Sequence, residues 1–149
     1  MNIFTHKDMI QFTVIVGCGR LGSSIANALS DENGNVLVVD RDKDSFRKLS
    51  PSYGGLTITG DAMDYAVLCD AQLDKATAII AVTDNDNANI MIAQMAKELF
   101  QKRNIIVRLY DSAREFICRE MGIATICPAV LSEKEVRKLL SDNGKEAVV

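Results

Sequence analysis

The sequence predicts an α/β fold built on a doubly wound, six-stranded parallel sheet in a single domain. Three observations predict it. Short β-branched and apolar runs alternate with stretches of helical period along the whole chain, which is the rhythm of successive βα units. The runs are apolar throughout, as strands covered on both faces require. The first run leads straight into Gly17-Cys18-Gly19-Arg20-Leu21-Gly22, a G-x-G-x-x-G that opens a helix. Right-handed crossovers between such units give a Rossmann-type sheet with helices on both sides.

The elements follow in order. Phe12-Thr13-Val14-Ile15-Val16 is β-branched and ends at glycine, so it reads as a buried strand. Arg20 to Ser30 reads as a helix with Leu21, Ile25, Ala28 and Leu29 on one face and Gly34 as its stop. Val36-Leu37-Val38-Val39 is a second strand, ending at Asp40, and Asp42 to Leu49 a short polar helix with Phe46 and Leu49 inward. Leu56-Thr57-Ile58-Thr59 is a third strand ending at Gly60-Asp61, followed by a short helix from Ala62 to Cys69. Ala78 to Val82 is a fourth strand. Asp86 to Gln101 is the strongest helix, with Ala88, Ile92, Met95, Ala96 and Leu99 at helical spacing. Ile105-Ile106-Val107 opens a fifth strand that runs to about Leu109, and Ile123 to Ile126 is a sixth. Ser112-Ala113-Arg114-Glu115 and Ser132-Glu133-Lys134-Glu135 have the form of capping boxes, so each should start a helix. Val136, Leu139 and Leu140 give the last helix an apolar face, and Asn143-Gly144 should end it. The folded domain is thus expected over 11–141, between a flexible segment 1–10 and a tail 142–149.

Composition removes several classes. At 149 residues the chain is one domain, and 48% hydrophobic with 25% charged residues is an ordinary globular balance. A net charge of −3 lacks the basic excess of a nucleic-acid module. No apolar run reaches a membrane span, and the first residues lack the apolar core of a signal peptide, so a cytoplasmic protein is expected. Cys18, Cys69, Cys118 and Cys127 form no C-x-x-C pair and His6 lies far from them, which removes the common zinc patterns. They read as reduced thiols used as small hydrophobes.

The chemistry concentrates at the strand ends. In the glycine loop Gly17 allows a tight turn, Gly19 lets the backbone approach a pyrophosphate, and Gly22 lets helix and strand pack closely. The helix N-terminus then offers free N–H groups to phosphate. Arg20 adds a cation within reach of those phosphates, or of a ligand on a neighbouring subunit. Asp40 lies 18 residues after Gly22, where an acid accepts hydrogen bonds from ribose hydroxyls. It repels a 2′-phosphate, whereas the adjoining Arg41 weakens that preference. Asp61 either contacts the adenine region or caps the next helix. Thr83-Asp84-Asn85-Asp86-Asn87 lies where the strand order reverses and serves as ligand contact or polar cap; its spacing does not fit a calcium loop. Arg108, on the same rim, pairs with phosphate or with Asp84, of which the pairing with Asp84 is the simpler expectation. A dehydrogenase would also need a substrate region, and the six strands use nearly all the chain. A nucleotide site without a substrate site is the pattern of a sensor; a small NAD-dependent oxidoreductase, or the cofactor half of one, is the alternative.

These residues resemble the N-terminal nucleotide-binding domain of regulators of potassium conductance (the RCK, or TrkA-N, type) of Trk and Ktr potassium uptake systems. The resemblance rests on the glycine loop with its arginine, Val38-Val39-Asp40-Arg41-Asp42, Thr59-Gly60-Asp61-Ala62 and Ala81-Val82-Thr83-Asp84-Asn85-Asp86-Asn87-Ala88-Asn89. Ile106-Val107-Arg108, Met121-Gly122-Ile123 and Cys127-Pro128 also fit, and the likeness covers about residues 11–141. It implies a non-catalytic Rossmann domain that binds NAD(H), ATP, ADP or AMP. It also implies homodimers formed through exchanged or packed late helices, rings of dimers, and a position under a membrane potassium channel or transporter at the inner face of the cell membrane. By this likeness Gly17, Cys18, Gly19, Arg20, Leu21 and Gly22 hold phosphate, Asp40 with Arg41 meets the ribose, and Asp61, Ala62, Thr83, Asp84 and Arg108 complete the pocket. Regulators of this type usually carry a second, smaller C-terminal domain; the expectation is a single-domain version, a piece of a longer chain, or one partner of a split pair whose other chain supplies that domain.

Overall fold

The computed structural model describes residues 11–146; the segment 1–10, expected to be flexible, and the last three residues of the tail lie outside them. The strands are β1 (Phe12–Val16), β2 (Asn35–Asp40), β3 (Leu56–Thr59), β4 (Ala78–Ala81), β5 (Ile105–Arg108) and β6 (Ala124–Ile126). The helices are α1 (Arg20–Asp31), α2 (Tyr65–Asp70), α3 (Asp86–Phe100), α4 (Glu115–Glu120) and α5 (Pro128–Glu146). All six strands are parallel, in the order β3-β2-β1-β4-β5-β6. The chain therefore winds outward from β1 in one direction, returns, and winds outward in the other. The order reverses between β1 and β4, and this opens a crevice beyond their C-terminal ends.

Side-chain period 2 splits each central strand between two cores. Val14, Val16, Leu37, Val39, Ile79, Ala81 and Val107 face one side, where Leu68 of α2, Ile92 and Met95 of α3 and Cys118 of α4 cover them. Ile15, Val36, Val38, Ile80 and Val82 face the other, beneath Ala26 of α1 with Leu21, Ile25, Leu29, Phe46 and Leu49 partly buried. Register carries this division across the sheet, with Val14 beside Leu37 and Ile79.

The helices depart from the sequence expectation at their ends and faces. On α1 the buried residues are Gly22, Ser23 and Ala26, while Ala28 is exposed, because the helix packs so closely that only small side chains fit. Its left-handed stop residue is Asn33 (φ 61°), one position before the expected glycine. Asn33 N–H donates to the Ser30 carbonyl and Gly34 N–H to that of Leu29, a Schellman closure. The polar segment after β2 is a 3₁₀ turn, Lys43–Lys48, capped by Asp42. The helix expected from Ala62 starts at Tyr65, because Asp64 caps Ala66 N–H. Leu99 is 52% exposed, and in the last turn of α3 its neighbour Phe100 packs against the core instead. Before α4 the cap is Asp111, not Ser112, and a 3₁₀ turn at Ser112–Arg114 precedes the helix. The last helix begins at Pro128, four residues before its expected capping box, and runs through Asn143-Gly144 to Glu146.

Candidate functional site

One cleft, of about 910 Å³, follows the C-terminal rim of the sheet across the crevice. Its centre is the turn from β1 into α1. Gly17 adopts φ +103°, and a Cβ there would stand 2.8 Å from the Val82 carbonyl oxygen, so only glycine fits. Its N–H donates to the Val39 carbonyl at 2.8 Å, which joins the loop to β2. At Gly22 a Cβ would lie 1.8 Å from the Gly17 carbonyl oxygen. Gly19 differs: nothing lies within 4 Å of a Cβ there, and its backbone faces the cleft. Ser23 Oγ donates to the Gly19 carbonyl at 2.6 Å and steadies the first turn of α1. The first N–H groups of α1 thus point into open space, beside the exposed side chain of Arg20.

Asp40 ends β2 on one side of this loop. Oδ2 accepts from Cys18 N–H at 2.7 Å and Oδ1 from Asp42 N–H at 2.8 Å. Two main-chain donors fix the carboxylate, and each oxygen keeps an acceptor site for a ligand hydroxyl. Cys18 enters the site through this main-chain bond alone, because its side chain is fully buried. Burial, then the neighbouring Asp40 carboxylate, push its thiol pKa up, partly offset by Lys48, so it stays protonated and unreactive at neutral pH. Leu21 and Gly22, expected in the phosphate loop, do not line the cleft; they pack the loop from behind. Arg41 lines it and is exposed. Asp61 is not the cap of α2, which is Asp64; its Oδ1 accepts from Met63 N–H at 2.9 Å, and Asp61 and Ala62 line the cleft.

Thr83, Asp84 and Arg108 line the other side, beyond β4 and β5. Arg108 does not pair with Asp84. Its Nη2 donates to the carbonyls of Val82 (3.0 Å) and Thr83 (2.9 Å), and the guanidinium lies over the Tyr110 ring, 5.0 Å from its centre. Nε is buried without a partner, and among the described residues no carboxylate pairs with this cation.

Sequence reasoning gave no individual role to four contributors. Met63 and Met91 supply apolar walls; Met91 lies off the core face of α3 and is 46% exposed, which is the one signal it carries. Asp86 accepts from Tyr110 and Asp111 N–H at 2.9 and 3.0 Å and anchors the loop after β5. Asn89 is fully buried and bonds to the main chain at the ends of both β4 and β5. Its signal was a polar residue in register with Ile92, Ala93 and Ala96, all buried.

Comparisons with known proteins agree with this fold. The family model for the TrkA-N domain matches residues 13–128. The Trk system potassium uptake protein TrkA of Streptomyces coelicolor is 38% identical over 133 residues, 89% of this chain and 60% of that protein. The chain spans about half to three fifths of the length of the first curated relatives it matches. Among solved structures, the TrkA-N domain of the inner membrane protein ybaL from Escherichia coli superposes with a TM-score of 0.79 at 20% identity, over 89% of this chain and 98% of that one. The GsuK channel bound to NAD gives 0.67 at 22% identity over 83% and 22%, and the Shewanella denitrificans Kef CTD in AMP bound form gives 0.69 at 21% over 87% and 82%.

Proposed function

Because the chain belongs to the TrkA-N domain family, we propose that it is a nucleotide-sensing regulatory unit of a potassium channel or transporter. It binds NAD(H) or an adenine nucleotide (ATP, ADP or AMP) and catalyses no reaction. The observation that carries this reading is a single cleft in which a glycine loop and the N-terminus of α1 face Asp40 across the end of β1. Phosphate meets the helix N-terminus and Arg20, while ribose hydroxyls donate to Asp40. Arg41, Asp61 and Ala62 flank the adenosine end, and Thr83, Asp84 and Arg108 the end beyond it. The names of its relatives supply potassium uptake as the regulated flux, and the NAD and AMP of its structural neighbours support the ligand class.

A sensor acts by moving a population: a ligand shifts two shapes only by its difference in affinity for them. The second shape is that of an assembly. Every residue of α5 from 131 to 143 is exposed, and Val136, Leu139 and Leu140 are 54%, 51% and 68% exposed. A nineteen-residue helix with that face uncovered suits a second copy of the chain, with α5 exchanged or packed between protomers. Such homodimers would form a ring at the inner face of the cell membrane, below an integral potassium-transporting subunit. No membrane-spanning helix occurs among the described residues, and this role requires none.

A thermal-shift series with NAD+, NADH, ATP, ADP and AMP tests the site. A ligand at a hundred times its Kd should stabilise the folded state by about 2.7 kcal/mol. Asp40→Ala should abolish the shift. No shift with any of the five overturns the reading.

A further inference from the structure

The buried side chain of Asn89 makes a set of bonds whose consequence lies in the cleft. Oδ1 accepts from Thr83 N–H at 3.0 Å and from Thr83 Oγ1 at 2.6 Å. Nδ2 donates to the carbonyls of Thr83 (3.1 Å) and Arg108 (3.0 Å). This orientation of the amide is the only one its neighbours allow, since a flipped amide would set Nδ2 against a main-chain N–H and Oδ1 against two carbonyl oxygens. An amide oxygen has no proton to give. The hydrogen in the 2.6 Å contact therefore belongs to Thr83, and the threonine hydroxyl donates to Asn89 in preference to the Asn85 carbonyl, its second acceptor at 3.3 Å. Asn85 N–H approaches the same oxygen at 3.3 Å, also as a donor. Towards the cleft that Thr83 lines, its hydroxyl can only accept.

We propose that Asn89 is a positioning residue for ligand selection: by fixing the Thr83 hydroxyl as an acceptor, it makes this side of the cleft take a ligand group that donates, a sugar hydroxyl, and turn away a phosphate oxygen, which only accepts. The topology gives this a larger meaning. Asp40, an acceptor, ends β2; the phosphate-facing glycine loop follows β1; Thr83 follows β4. In the order β2-β1-β4 the two acceptors stand on either side of the phosphate site, about 10 Å apart at the spacing of neighbouring strands. Two sugar acceptors flanking a phosphate site match a dinucleotide, with one ribose at each end of its pyrophosphate. A nucleoside triphosphate would set its terminal phosphate oxygens against the Thr83 lone pair, next to an Arg108 whose Nη2 already donates to the Val82 and Thr83 carbonyls.

This inference rests on the nucleotide site proposed above, and calorimetric titration with NADH, ATP and ADP separates the two. ADP binding that is lost in Asp40→Ala reports on the cleft; the ratio of NADH to ATP affinity reports on Thr83. Thr83→Val keeps the shape and removes the acceptor, so this ratio should fall about tenfold, and Thr83→Ser should restore it. Asn89→Leu frees or removes the constraint on Thr83 and should lower the ratio likewise, with no further effect when combined with Thr83→Val. A destabilised Asn89→Leu leaves the Thr83 pair to decide. An unchanged ratio in Thr83→Val, with ADP binding intact in the unaltered protein, overturns the assignment to Asn89 and Thr83 alone. Absence of ADP binding overturns it together with the site.

Discussion

Two glycines three residues apart, Gly19 and Gly22, behave oppositely. A glycine inside a helix ordinarily costs about 1 kcal/mol against alanine. Gly22→Ala should reverse that sign, because its Cβ would stand 1.8 Å from the Gly17 carbonyl oxygen, a main-chain atom with no room to yield. A loss of about 3 kcal/mol or more is expected in urea denaturation. Gly19→Ala meets open space, so stability should change by less than about 0.5 kcal/mol while nucleotide no longer raises the melting temperature. Wild-type-like binding in Gly19→Ala would remove the backbone approach from the mechanism. These roles were legible because spacing alone assigns each glycine its task. The roles of Arg108 and Asn89 were not legible, because their partners are main-chain carbonyls and amides of other strands, which sequence does not show. Tyr53 is a further case. Its hydroxyl donates to the Leu56 carbonyl at 2.8 Å, with that of Val36 at 3.2 Å. Burial, and secondarily the Cys18 thiol, push its pKa up to about 12 from 10.0. The folded state thus favours the protonated phenol. That contribution is whole below the unfolded value of 10.0 and is lost as pH rises towards about 12. Urea melts across this window should show falling stability in the wild type and a shallower fall in Tyr53→Phe. Equal slopes would show that the phenol is not the titrating group. Cys18, also pushed up by burial, accounts for part of the remaining slope.

At the scale of elements, strands were easier to place than helix ends. Phe12–Val16 has the bounds that its continuous apolar sequence suggests, as a parallel strand covered on both faces should, and Leu56–Thr59, an edge strand with only Ile58 partly buried, is marked instead by its alternation of apolar residues with threonine between glycines. Helix ends depend on which of several nearby polar residues wins the cap. Asp111 outcompetes Ser112, with its carboxylate accepting from Ala113 N–H at 3.0 Å. At α5 the capping-box pattern pointed to Ser132, yet Pro128 has its φ preset for a first helical position and starts the helix directly after β6. The proline was the better signal. At the far end of α3, Gln101 stops the helix in the left-handed region at φ 51° without being glycine or asparagine. A side chain there costs about 1–2 kcal/mol, part of which glycine's greater freedom in the unfolded chain cancels. Gln101→Gly should therefore raise stability by up to about 1 kcal/mol, read as a higher urea midpoint at unchanged slope. A lower midpoint would mean that the bond from Gln101 Nε2 to the Glu98 carbonyl outweighs the backbone strain.

The whole molecule is covered unevenly. Among the described residues, twenty buried side chains form the core on the α2–α3–α4 side, against seven on the α1 side. On that thinner side Ile106 is only partly buried, and Ile126 of β6 is likewise incompletely covered. The helix that follows β6 leaves Val136, Leu139 and Leu140 in solvent. An open flank and an unpartnered apolar helix on the same chain suit a closed twofold assembly in which each copy covers the other. A stable interface of this kind removes about 1,600 Å² from solvent. Folding would then be coupled to association, and the melting temperature should rise with protein concentration by about 2 °C per tenfold. Leu139→Glu combined with Leu140→Glu should abolish that dependence and give a monomer in light scattering. The melting temperature at high dilution should change little, because both side chains are exposed within one copy. A wild-type melting temperature independent of concentration, together with a monomeric mass, would instead mean that α5 serves another partner. The nucleotide cleft would then have to act within one chain, with Arg20 reading the phosphates of its own ligand.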